Sequence, residues 1–267
     1  MTSQSKLYIS DDFRPERTKN FILLLQIRER DFSFAVVYQK ELQVYGKNYP
    51  LNELLAPQEL SDYLSQEYNK VIIGIEPQVF TILPKSLHKD ELDVQVSRFL
   101  DVNEHEKVYR QSLNDDNFIF FKDGNQMVPQ ITARYKYYHI CFFYKGWIKA
   151  ISETEANWQN FYIDVQPDAV HLLYFKNNKL RFYNRLSYEN THELVYFVAL
   201  TLSELQINPV NIKLMLSGEV SLNDETIRAL SEYFPKIEIN ALSLLSRLPQ
   251  QLTIQEALSL SALNLCA

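Results

Sequence analysis

The stretch IKLMLSGEV, residues 212–220, is an apolar run that breaks at Ser217-Gly218 and is followed by helix-like sequence. A strand opening through glycine into a helix is a common phosphate site, because the first N–H groups of the helix point at the anion. Such turns usually need clustered glycines, since a side chain blocks close approach of the backbone. Only five glycines occur, at positions 46, 74, 124, 146 and 218, and no two are closer than 22 residues. That is about 2% of the chain, against roughly 7% on average. Neither G-x-G-x-x-G nor G-x-x-x-x-G-K-[ST] can be written on this sequence.

Other reactive side chains do not assemble into a motif. Ser86-Leu87-His88-Lys89 fits S-x-x-K but lacks the companion motifs of serine acyltransferases. There is no G-x-S-x-G and no H-E-x-x-H. The histidines at 88, 105, 139, 171 and 192 show no ligand spacing, and His171 reads as an ordinary core or edge histidine within a strand. Cys141 and Cys266 lie 125 positions apart, which gives no C-x-x-C, no zinc spacing and no disulfide framework. Cys141 is expected to be a buried thiol. No metal site is expected.

ARYKYYHICFFYKGW, residues 133–147, interleaves basic and aromatic side chains in the manner of a base-stacking surface. The chain as a whole has a formal charge of -6 and a pI near 5.5, so it carries no global positive field for nucleic acid. A packed segment burying Phe142, Phe143 and Trp147 is the expected structure. Nucleic acid is not an expected partner.

These residues must be held by a particular order of elements. FILLLQIRER, DFSFAVVY and ELQVYG read as three strands of an antiparallel meander. Leu60, Tyr63, Leu64 and Tyr68 then predict a helix with Pro57 near its first turn, and KVIIGI predicts a buried strand. The same order returns 138 residues later in NFYIDVQPD, AVHLLYFK, NKLRFYNRLSY, the helix NTHELVYFVALTLSEL and the strand IKLMLSG. At that offset Gln26 aligns with Asp164, Arg28 with Gln166, Phe34 with Leu172, Leu42 with Leu180 and Val44 with Phe182. Asn190 with Glu193 predicts the cap of the second helix.

Between the copies, PQVFTILPKSL and NFIFFKDG predict strands, and DELDVQVSRFL a helix with Leu92, Val96, Phe99 and Leu100 inward. After them, NDETIRALSEYF predicts a helix with Ile227, Leu230 and Phe234 inward, and PKIEI a last strand. The tail QLTIQEALSLSALNLCA is apolar, but its last preceding basic residue is Arg247. Interfacial membrane helices usually carry Lys or Arg on the polar face. Packing against the second half is therefore expected. No apolar run approaches the roughly 20 residues of a membrane span, and the first 21 residues do not have the pattern of a secretory signal. A cytoplasmic protein is expected.

This duplicated order resembles that of the actin-like ATPase superfamily. YIDVQPDAVHLLYFKNNKLRFYNRL resembles the phosphate-binding hairpin of the actin-like proteins of type IV pilus assembly and cell division. Asp164 and Arg185 match that pattern, and Gln166 replaces its glycine. IKLMLSGEV with the following helix resembles the adenosine-side strand and Gly-Gly turn; Gly218 matches the first glycine and Glu219 replaces the second. The 77–122 segment resembles the extra subdomain of the pilus and division branch. As a whole the chain resembles an uncharacterised bacterial domain-of-unknown-function family with this fold.

The resemblance implies two α/β lobes of actin-like, ribonuclease H-like topology. The first spans residues 1–155 with a small α+β insertion at about 77–122, and the second spans 156–267. In nucleotide-binding relatives the first-lobe aspartate helps to position Mg2+, and both hairpin turns give N–H groups to phosphates. Here that position is Gln26, which lacks the charge a hard cation prefers, and Arg28 sets a bulky cation where backbone should meet phosphate. Gln26, Arg28, Asp164, Gln166, Gly218 and Glu219 are thus expected to be vestiges of a nucleotide site. The expected function is a non-catalytic interaction or scaffold protein with no cofactor, an unidentified protein partner and scope for a homo-oligomer. The alternative is a divergent ATPase or small-molecule kinase that binds ATP and Mg2+ in a cleft between the lobes.

Overall fold

The computed structural model describes residues 5–89, 92–123, 127–154 and 156–266. The chain divides into two compact units, Met1–Gly146 with Leu263–Ala267, and Trp147–Ala262. Residues 90, 91 and 124 of the expected insertion helix and strand, and residue 155 at the expected lobe boundary, lie outside the described residues.

The first unit opens with strand β1 (Lys6–Ile9), then β2 (Ile22–Ile27), β3 (Asp31–Tyr38) and β4 (Glu41–Pro50). Two short helices, α1 (Leu51–Leu55) and α2 (Ser61–Leu64), precede β5 (Lys70–Ile75). Next come β6 (Phe80–Pro84), α3 (Leu92–Phe99), β7 (Val108–Ser112), β8 (Asn117–Lys122), α4 (Met127–Thr132) and β9 (Tyr138–Phe142). Six strands form one sheet in the order β1-β4-β3-β2-β5-β9, and β6-β8-β7 form a separate antiparallel sheet. The parallel strands β2 and β5 are nearly continuous apolar runs, as strands covered on both faces must be, and β9 pairs parallel to β5 at the sheet's edge.

Helix α5 (Lys145–Thr154) leads into the second unit: β10 (Asn160–Val165), β11 (Ala169–Lys176), β12 (Lys179–Ser187), α6 (Thr191–Glu204), β13 (Lys213–Gly218), α7 (Glu225–Ser231), β14 (Ile237–Ile239) and α8 (Ile254–Ala262). Its sheet runs β12-β11-β10-β13-β14. Leu194, Val198 and Leu202 of α6 pack into the core with Phe161, Ile163 and Leu172 of the sheet. The Asn190 side chain accepts the Glu193 N–H and so caps α6, while the Glu193 carboxylate turns back to the Glu189 N–H. Helix α8 lies against β13. Among the described residues no helix is long and apolar enough to cross a membrane.

The two meanders share their pairing in detail. Leu23 faces Val36 and Gln26 faces Ser33; 138 positions later Phe161 faces Tyr174 and Asp164 faces His171. The next strand slips register between Val36 and Val37 in one unit and between Tyr174 and Phe175 in the other. Both hairpins then turn through two left-handed residues, Gln39-Lys40 and Asn177-Asn178. Such turns favour Asn and Gly, whose side chains tolerate positive φ. Replacing Gln39-Lys40 by Asn-Gly is therefore expected to stabilise the chain by about 1 kcal/mol, read as a raised urea midpoint at unchanged slope.

Two expectations fail locally. The helix expected around Leu60–Tyr68 is only the four residues of α2. Leu60, Leu64 and Tyr68 are all buried, but no side chain caps the helix and Tyr68 reaches the core from outside it. Phe99, expected inward, is 70% exposed, whereas Val96 and Leu100 are buried. Asp101 adopts φ 49°, which ends the helical path just after Leu100 has entered the core. β7, α4, β9 and α5 carry no clear alternation or helical stripe in the sequence and were not anticipated there. Phe142, Phe143 and Trp147 are buried, the first at the end of β9.

Candidate functional site

In the first unit, β2 and β5 end side by side, and Gln26 and Glu76 meet there. Gln26 Nε2 donates to Glu76 Oε2 at 2.7 Å, and both residues are buried. Arg28 follows on the turn. Its Nε donates to Asp31 Oδ1 at 2.6 Å and its Nη2 to Asn48 Oδ1 at 2.5 Å. Asn48 has φ 59°, a left-handed residue within β4 that lies near the irregular pairing of Phe32 and Phe34. Burial alone would lower the Arg28 pKa, but the carboxylates of Glu76 and Asp31 outweigh it and hold the guanidinium above its ordinary value.

Beside this network lies a cavity of about 320 Å³ lined by Arg28, Glu29, Glu76, Gln78, Lys122 and Asp123, among others. Lys122 Nζ donates to Glu106 Oε2 at 2.9 Å and to the Asp101 carbonyl at 2.7 Å. Asp123 is buried and accepts the Val128 N–H. Both cations are thus already paired, and carboxylates outnumber them on the wall. A polyphosphate would meet net repulsion here.

In the second unit, Asp164 is fully buried at the end of β10. Gln166 Nε2 donates to its Oδ2 at 2.6 Å and Ser217 Oγ to its Oδ1 at 2.8 Å. Gly218 has φ +86°, and a Cβ there would stand 2.1 Å from the Val165 carbonyl oxygen. The Glu219 N–H donates to that same oxygen at 2.7 Å. Arg185 lies at the edge of this turn, 4.0 Å from Asp168 and bonded to the Ser187 hydroxyl. Tyr188 donates its hydroxyl to the Gln166 carbonyl at 2.5 Å.

The two turns repeat one backbone pattern. Arg28 N–H donates to Asp31 O, and Gln166 N–H donates to Ala169 O, each at 2.9 Å. Glu76 N–H donates to Ile27 O just as Glu219 N–H donates to Val165 O. The structure therefore brings Gln26 and Arg28 together in one unit, and Asp164, Gln166, Gly218 and Glu219 together in the other. Sequence reasoning missed Glu76, Asp31, Asn48, Ser217 and Tyr188 as the groups that saturate them. Glu76 follows KVIIGI as Glu219 follows IKLMLSG, so alignment of the closing strands would have found it.

Tyr188 gives this turn a pH signature. Burial first, then Asp168, Glu219 and Asp224, push its pKa up to about 12. A tyrosine whose pKa is raised on folding adds stability that is complete below pH 10 and is lost as the pH rises toward 12. Tyr188→Phe is expected to cost about 1 kcal/mol at neutral pH, the worth of one hydrogen bond. It should also flatten the alkaline fall in stability, measured by urea unfolding from neutral pH through pH 12.

A family profile described as a protein of unknown function, DUF3822, matches residues 10–237. The chain belongs to the DUF3822 family. No curated protein matches it significantly. Among solved structures, it is similar to a Bacteroides thetaiotaomicron VPI-5482 protein with actin-like ATPase fold and unknown function, at 18% identity and a TM-score of 0.73 over 85% of this chain and 93% of that one. It is also similar to a chain of a PilM–PilN type IV pilus biogenesis complex, at 12% identity and a TM-score of 0.62, covering 91% of this chain and 96% of that one. A third likeness is to the cytoplasmic domain of EpsL, an inner membrane component of the type II secretion system of Vibrio cholerae. There the identity is 11% and the TM-score 0.56, with 92% of this chain and 95% of that one covered. At these identities the likeness establishes the fold, an actin-like ATPase fold in a DUF3822 chain of mixed α/β structure.

Proposed function

We propose that this DUF3822 chain is a non-catalytic interaction or scaffold protein of the cytoplasm. In it the phosphate-binding turns of an actin-like ancestor have become internal polar contacts. The observation that carries this reading is the fully buried Asp164 carboxylate, closed off by Gln166 and Ser217. A carboxylate that positions hydrated Mg2+ needs an oxygen facing water or the ion. Gln26 and Arg28 support the same reading, because their polar groups are occupied by Glu76, Asp31 and Asn48. Gln26, Arg28, Asp164, Gln166, Gly218 and Glu219 are on this view structural remnants, with no cofactor to hold.

The shared register and turns of the two meanders favour a duplication, with repeats over residues 1–155 and 156–267. The β6-β8-β7 sheet with α3 would then be an insertion at about 77–122 in the first repeat. A protein partner is supported by analogy with the PilM–PilN complex, itself an assembly of two proteins.

The test is thermal unfolding with ATP or ADP, with and without Mg2+. No saturable stabilisation is expected. A ligand at a hundred times its Kd would add about 2.7 kcal/mol, so binding would be plain as a shift of several degrees. A saturable shift that Asp164→Ala abolishes would overturn the proposal.

A further inference from the structure

The only two cysteines of the chain, 125 positions apart in sequence, meet in the first unit. Cys141 lies on β9, beside Gly74 of β5. Cys266 closes the 3-10 turn Leu263–Cys266, which packs on β5. Both are buried, reduced thiols, and their side chains are hydrogen-bonded to each other. Two further contacts fix the turn in place. The Leu263 side chain fills the space beside Gly74, where a Cβ would stand 2.8 Å from its Cδ1. The His139 ring, two residues before Cys141 on the same face of β9, is hydrogen-bonded to the Cys266 backbone. Leu263 itself is fully buried.

We infer that Cys141 and Cys266 form a reversible redox clasp, whose disulfide would tie the returning segment Leu263–Cys266 to β9 and enclose the whole second unit in a covalent loop. The oxidant is a low-molecular-weight disulfide. In the first step the Cys266 thiol, exposed when its single turn opens, attacks that disulfide. One S–S bond breaks, a mixed disulfide forms, and a small thiol leaves with the proton that Cys266 gave up. When the turn closes, Cys141 attacks the Cys266 sulfur, the protein disulfide forms and a second small thiol leaves, carrying the Cys141 proton. One oxidant molecule is thereby reduced to two thiols and two protein thiols are oxidised.

The resting pair is slow to react. The bond from Cys266 and then burial hold the Cys141 thiol well above the ordinary range, so little thiolate is present. Oxidation is therefore gated by opening of the turn, a short 3-10 segment with few backbone bonds of its own.

The experiment treats the full chain with oxidised glutathione under native conditions, followed by intact mass, peptide mapping and thermal unfolding. The expected product is a monomer lighter by two hydrogens, with the Cys141 and Cys266 peptides linked. Its Tm should rise by about 10 °C, from the long loop removed from the unfolded chain, and dithiothreitol should reverse this. Cys141→Ser should stop at the glutathione adduct on Cys266, and Cys266→Ser should lose both the link and the rise. Two thiols still titrating after prolonged exposure, or only intermolecular disulfides, would overturn the inference. The wild-type mass alone decides this if either serine variant fails to fold.

Discussion

Gly218→Ala is expected to destabilise the folded chain by about 3 kcal/mol or more, the combined effect of a left-handed backbone and a blocked side-chain position. The new methyl would sit 2.1 Å from the Val165 oxygen and 2.8 Å from its nitrogen. Those atoms belong to β10, which is paired on both sides by β11 and β13, so no flexible side chain can yield. The Glu219 N–H bond to the same Val165 oxygen would be lost as the turn shifts. Chemical denaturation of the variant checks the magnitude. A loss below 1 kcal/mol would mean that the turn relaxes without strain. The glycine is thus needed for strand closure whether or not a phosphate ever approaches it.

Arg28→Met should cost about 3 kcal/mol, because removing one partner leaves the buried Glu76 and the half-buried Asp31 uncompensated. The side chain of Arg28 is 12% exposed and its guanidinium joins Asp31, Asn48 and the field of Glu76 in one network. The double change Arg28→Met with Asp31→Asn should recover part of that loss, which a double-mutant cycle in urea would show as a coupling of about 1 kcal/mol or more. Additive losses would mean that Arg28 acts by packing alone. The sign of this coupling also bears on function. An arginine kept for an incoming phosphate would gain from anions, whereas this arginine is already neutralised from within its own unit.

The strands were legible because their patterns are strong. FILLLQI, KVIIGI and IKLMLSG are dominated by apolar residues, and the β3–β4 and β11–β12 hairpins reverse in two residues. The 138-residue offset was legible too, and the pairing within the two meanders repeats at that spacing. The short elements were not. α2 has one turn of helix and no cap, so Leu60 and Tyr68 lie on a shared periodicity without sharing a helix. Phe99 misled because an apolar stripe of four contained one residue too many for the space that Leu100 fills.

At the candidate site, residue type was readable but partnership was not. Gln26, Arg28, Asp164 and Gln166 could be named as replacements in a phosphate turn. That Glu76 receives Gln26, or that Ser217 closes over Asp164, depends on parallel pairing between strands about fifty residues apart. The cysteines are the extreme case. Spacing gave no reason to pair Cys141 with Cys266, and only the return of the chain to β5 does so.

That return has a consequence during synthesis. Because Leu263–Ala267 belongs with Met1–Gly146, the first unit must wait for its last piece until all of Trp147–Ala262 has been made. At roughly 5–20 residues per second the wait is on the order of ten seconds. Through that interval Gly74 and Cys141 lack the Leu263 and Cys266 that cover them, and the nascent first unit presents an open apolar seam to chaperones. The second unit, whose own residues are contiguous, can close its core first.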